Sequence, residues 1–142
     1  MTSQVDAMQQ TLAAEHAAIF VLGALGGRAS ALPPSPLRSA LDAAYARHVE
    51  RRDQLRTMIS ADGAEPAAAE PAYRLPTPLT TAAQIAAEAL RVERACVTTY
   101  AALVAATSDA ERRWAIDALV TTAVGEAAFG GQREALPGLG ST

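Results

Sequence analysis

The sequence predicts an all-α protein: a four-helix bundle made of two antiparallel hairpins joined by a long crossover. Three observations lead there. Apolar residues recur at steps of three and four in four separate segments, the spacing that turns one face of a helix inward. A proline-rich stretch divides these segments into two pairs. Each apolar seam also carries one polar residue in its middle part, namely Glu15, His48, Glu93 and Glu126. A buried charge is unfavourable by several kcal/mol unless it is paired or bound to a metal. Four such residues on four seams are therefore expected to meet.

The first helix is predicted over about 3–26, with the seam Val5, Met8, Leu12, Glu15, Ile19, Leu22 and a stop at Gly26-Gly27. A short loop, Ala31 to Pro36, implies an antiparallel neighbour. Ser35 as N-cap and Pro36 in the first turn start the second helix, predicted over about 36–61. Its seam is Leu37, Leu41, Ala44, His48, Arg51 or Arg52, Leu55 and Met58, and Asp62-Gly63 ends it. The crossover, about 62–79, holds Pro66, Pro71, Pro76 and Pro78 and shows no period. At about 3.1 Å per residue such a chain spans a helix of this length. Thr81 with Gln84 forms a capping box for a third helix over about 80–107, with Ala89, Glu93, Cys96, Tyr100 and Leu103 on its seam. Ser108 with Glu111 reads as a second box for a helix over about 109–133, with the seam Ile116, Leu119, Ala123, Glu126. Pro137 to Thr142 is expected to be a loose tail.

The chain of 142 residues is expected to be one domain, 1–142, large enough for a real core. Half of it is hydrophobic, but aromatics make up only 4% and much of the rest is alanine. Alanine favours helix and buries little area, so the helices must approach closely, and a second subunit would help to bury surface. A net charge of −3, with no basic run interleaved with aromatics, argues against nucleic-acid binding. The single Cys96 forms no intrachain disulfide and reads as a small packed residue. The N-terminus does not read as a signal peptide. The apolar run Ala17 to Gly27 has 11 residues, against roughly 20 needed to cross a bilayer. A cytoplasmic protein without membrane contact is expected.

Three local patterns carry a resemblance: Leu12-Ala13-Ala14-Glu15-His16-Ala17-Ala18, Arg47-His48-Val49-Glu50-Arg51-Arg52-Asp53, and Tyr73-Arg74-Leu75-Pro76. The chain resembles the ferritin-like superfamily over nearly its whole length. It is most similar to a small actinobacterial ferritin-like family of unknown function. The resemblance implies a ferritin-like bundle and no particular activity. Ferritin-like di-iron proteins use one Glu from each of two helices and Glu-x-x-His from each of the other two. On that pattern Glu15 and Glu93 match the lone glutamates and His48 matches a histidine. Tyr45 stands where the glutamate partner of His48 would be, and Phe129 stands where a histidine would follow Glu126. The di-iron set is thus degenerate.

Two readings of the polar residues follow. In one, Glu15, His48, Glu93 and Glu126 hold a single iron or manganese ion, since carboxylate and imidazole suit such metals. In the other they form a metal-free network, with Tyr45 or Tyr100 donating to the carboxylates and His16 half-exposed nearby. The second is preferred, so no cofactor is expected. Arg51, Arg52 and Arg56 with Glu50 and Asp53 read as a solvated charged face. Trp114 lies off its seam, either beneath the crossover or at an interface. A second small apolar stripe on the first helix, Ala13, Ala17, Phe20, Ala24 and Gly27, suggests a homodimer face. The expected function is a non-catalytic dimeric structural or interaction module, with a metal-dependent oxidoreductase as the alternative. No Ser-His-Asp, Walker or Rossmann motif is present.

Overall fold

The computed structural model describes residues 2–132 and 136–139. The chain forms α1 (Gln4–Ala29), α2 (Pro36–Ala61), α3 (Ala82–Ala106) and α4 (Asp109–Gly125), then one short 3₁₀ turn, Glu126–Phe129. No strand occurs among the described residues. No described helix is long and apolar enough to cross a membrane.

Side-chain contacts fix the helix directions. Gln4 at the start of α1 bonds Asp62, just beyond α2, so α1 and α2 are antiparallel. Leu12 clusters with Leu103, and Leu25 shares the other cluster with Ile85, so α1 and α3 are antiparallel as well. Hence α2 and α3 run parallel, and their connection must travel the length of the bundle. It does so along α1. Gln9 holds it at Glu65 and Ala67, His16 bonds the Ala67 carbonyl at 2.9 Å, and Phe20 packs on Tyr73 with centroids 5.4 Å apart. Leu75 and Leu79 then anchor it on the core before α3.

Helix ends follow local chemistry, with exceptions. The Thr81 side chain accepts from the Gln84 amide while Gln84 reaches back, which completes the capping box. Gly63, at φ +82°, closes α2 in a left-handed conformation that glycine reaches without a Cβ clash. Gly26-Gly27 do not stop α1: Arg28 and Ala29 continue it and Ser30 caps it, its hydroxyl bonding the Gly27 carbonyl at 2.6 Å. Ser108 occupies the N-cap of α4 without a side-chain bond, so the second capping box does not form. The fourth helix ends at Gly125 rather than near 133. Residue 133 and positions 140–142 of the expected tail lie outside the described residues.

The face of α4 also differs from expectation. Ala115, Ala118 and Thr122 are buried, whereas Ile116 is 45% exposed. The larger side chains Ile116 and Leu119 suggest a different face in the sequence, but the close approach of α4 to α3 favours the smaller ones one position earlier.

The apolar interior falls into two clusters. One holds Leu22, Leu25, Leu41, Ala44, Ile85 and Ala89. The other holds Met8, Leu12, Leu55, Ile59, Leu103 and Ala115. The boundary between them falls at Glu15 on α1 and at His48 and Arg51 on α2, and on α3 it falls between Tyr100 and Leu103.

Thr81→Ala is expected to lower stability by about 1 kcal/mol, and Ser108→Ala by less than about 0.5 kcal/mol. Urea unfolding midpoints would check this contrast; equal losses would contradict the capping assignment.

Candidate functional site

Glu15, His48 and Glu93 occur where the helical period requires an inward side chain, and all three are fully buried. Their backbones are fixed by apolar neighbours: Leu12 and Ala18 one turn either side of Glu15, Ala89 and Cys96 one turn either side of Glu93, and Ala44 one turn before and Leu55 two turns after His48. The polar groups are therefore withdrawn from bulk solvent and need partners within the interior.

They do so around the imidazole. His48 Nδ1 lies 2.5 Å from Glu15 Oε2 and Nε2 lies 2.6 Å from Glu93 Oε1. A carboxylate oxygen only accepts. Both ring nitrogens therefore donate, and the ring is an imidazolium. Burial alone would lower the His48 pKa, but the hydrogen bonds and charges of Glu15 and Glu93 outweigh it and raise it to about 9. The Tyr100 hydroxyl donates to Glu15 Oε1. Arg51 Nη1 donates to the Tyr100 hydroxyl at 3.2 Å and to Thr122 Oγ1 at 2.6 Å, while its guanidinium lies 5.3 Å from the Tyr100 ring centroid. A continuous chain, Thr122–Arg51–Tyr100–Glu15–His48–Glu93, thus joins all four helices. Two carboxylates face two buried cations, so the layer is close to charge balance. At its edge, Arg47 Nη2 lies 3.7 Å from Glu93 Oε2, with the arginine side chain 30% exposed.

The structure thus brings together Glu15, His48, Glu93 and Tyr100 as the sequence pattern suggests. Glu126 is buried and pairs with Arg94 at 3.4 Å, and it is not a hydrogen-bond partner of His48. Tyr45 is 41% exposed and packs by Gly23 rather than donating to the carboxylates. One turn from His48 on this side, α2 already faces outward. His16 turns to the crossover instead of the centre. Of the expected self-association stripe, Ala13 is exposed, Ala17 and Ala24 are half-buried, and Phe20 is packed by Tyr73 of the crossover.

Arg51 corrects the reading of the α2 charges as one solvated face. It is 7% exposed and belongs to the interior, whereas Arg52 pairs with Asp53 at the surface at 2.8 Å. The signal lay in the seam itself, since Arg51 is three residues past His48 and four before Leu55. Thr122 was masked by the one-residue shift of α4. Trp114 bonds Gln54 at 2.7 Å and stands edge-on to Tyr100, bridging α4 and α2.

Chemically, both imidazole nitrogens are already engaged. Burial, then the charges of Glu15 and Glu93, push the Cys96 thiol well above its ordinary value, so it is no nucleophile. Burial, then Glu15, likewise keep the Tyr100 phenol protonated. A metal ion needs a bare imidazole nitrogen, and both are taken. Among the described residues no group of three or more His, Cys, Asp or Glu side chains is arranged to hold a metal ion. In this arrangement the residues do not fit one.

Residues 7–141 match the family described as Domain of unknown function (DUF4439). The fold is similar to the crystal structure of a conserved hypothetical protein from Mycobacterium tuberculosis, with 32% sequence identity and a TM-score of 0.80, covering 89% of this chain and 94% of that one. Curated proteins give no match.

The raised His48 pKa sets the pH dependence. Folding favours the protonated ring, so its contribution is fully present below the unfolded value of 6.5 and is lost as pH rises through about 9. By linkage the loss is on the order of 3 kcal/mol. Denaturant titrations from pH 6 to pH 10 should show it, and His48→Leu should flatten the slope. A wild-type profile flat across this range would contradict the assignment.

Proposed function

The chain belongs to the DUF4439 family, and we propose that it is a non-catalytic, ferritin-like scaffold that acts through association with a second copy. The single observation that carries this reading is the doubly bonded imidazole of His48. It supplies the positive charge between two carboxylates that a metal ion would otherwise supply. The ferritin-like assignment is supported by the order of two hairpins and one long crossover, and by the glutamate, histidine and glutamate at the centre. What remains of a di-iron set is then a structural relic that fixes helix register.

Association is supported by the surface. Ile116, Val120 and Val124 on α4 are 45%, 52% and 72% exposed and stand at successive four-residue steps, so they form one apolar stripe. Contiguous exposed apolar patches mark interaction sites. The α1 stripe is a weaker candidate, because the crossover already packs on Phe20.

A second reading has one observation in its favour: Glu15, His48 and Glu93, from three helices, are in direct contact. Carboxylate and imidazole are donors that iron or manganese accepts, which would make the chain a metal-binding oxidoreductase. Binding would require His48 to release a proton held by a carboxylate.

Thermal unfolding with added Fe²⁺, Mn²⁺ or Zn²⁺ separates the readings, because a ligand of the native state must stabilise it. The scaffold reading predicts an unchanged Tm. A rise of several degrees that disappears in His48→Ala would favour the metal reading. Light scattering at micromolar concentration is expected to give the mass of two chains, and Val120→Glu the mass of one. A monomeric wild type would remove the association.

A further inference from the structure

Every polar atom at the centre has a direct partner except at one corner. Glu93 Oε2 and Arg47 Nε are both buried, and neither makes a hydrogen bond within the chain. They belong to the same ion pair, whose approach, Arg47 Nη2 to Glu93 Oε2, is 3.7 Å. That is beyond the roughly 3.2 Å limit of a good N–H···O bond. In arginine, Nε–H and Nη2–H point from one edge of the planar guanidinium, and it is Nη2 of this edge that approaches the carboxylate.

The position of the edge is set from behind. A Cβ at Gly125 would stand 3.2 Å from Arg47 Nη2, tighter than an ordinary contact. The glycine at the end of α4 therefore makes room for the guanidinium where it lies. The opposite oxygen of Glu93 is held by His48 at 2.6 Å, so the carboxylate cannot swing toward Arg47 without weakening that bond.

We propose that this corner is a binding site for a single water molecule, which accepts from the Arg47 edge and donates to Glu93 Oε2. The chemistry of the corner selects it. A donor edge and an acceptor oxygen facing each other call for a small neutral ligand able to do both, and buried polar groups left without direct partners are commonly joined by such a water. An anion would be repelled by Glu93 and a second cation by Arg47. The arginine side chain is 30% exposed, so the corner lies at the edge of the polar layer. It completes the polar layer and is independent of whether the chain self-associates.

A crystal structure resolving interior solvent is the first test. The expected result is one peak within hydrogen-bond distance of both Glu93 Oε2 and the Arg47 edge. A direct Arg47–Glu93 hydrogen bond with nothing between them would overturn the proposal, as would a peak at metal–oxygen distance, about 2.0–2.2 Å. In solution, the wild type should show a nuclear Overhauser effect from a long-lived water to the His48 ring protons, and Arg47→Leu should lose it. An effect absent from the wild type, or of equal strength in the variant, would overturn the site. Arg47 lies at the partly exposed edge, so the variant is expected to fold, and its amide spectrum verifies that.

Discussion

Two glutamates buried in an alanine-rich interior impose the constraint that the other features satisfy. Glu15 and Glu93 are withdrawn from bulk solvent, and moving a carboxylate into such surroundings is unfavourable by several kcal/mol. His48 meets both at once, and its two nitrogens fix the distance between α1 and α3 from a third helix. Tyr100 occupies the remaining oxygen of Glu15, and Arg51 orients Tyr100 while reaching α4 through Thr122. Removing one member would strand the others, which is why truncating one partner of a buried pair typically destabilises by about 3–5 kcal/mol. Such a layer adds little net stability. Its effect is on specificity, because a helix displaced by one turn would break several bonds together.

This matters more here than in an aromatic-rich bundle. Small side chains such as Ala18, Ala44, Ala89 and Ala118 line much of the interface, and alanine ridges slide past one another with little penalty. The polar layer supplies the register that side-chain shape does not. It also divides the apolar interior into two clusters, and Trp114, which packs against both, spans the division. The crossover contributes on the outside. Gln9, His16 and Phe20 hold it along α1, on the stripe of small residues that otherwise suggests an intermolecular contact.

The architecture was readable in the sequence because helical period, prolines and the Thr81–Gln84 box all point the same way. Glu15, His48, Glu93 and Tyr100 were readable because a polar residue on an apolar seam is conspicuous. What escaped had physical reasons. Arg51 also sits on a seam, but it lies in a run of surface charge, and sequence does not show which arginine turns inward. Thr122 was hidden because larger apolar residues suggested a different face of α4, whereas close packing selected Ala115 and Ala118. Tyr45 shares a sequence interval with a metal ligand, yet the helix directs it outward. Ser108 has the composition of a cap without the side-chain bond. That the connector packs on Phe20 of the α1 stripe was not readable, since the connector has no period of its own.

The centre is a protonated imidazole between two carboxylates, and the protonation state of His48 tests that most directly. Nitrogen-15 NMR of the ring at neutral pH is predicted to show both Nδ1 and Nε2 carrying hydrogen. A neutral tautomer with one bare nitrogen under the same conditions would contradict it, and would return to the site the lone pair that a metal ion requires.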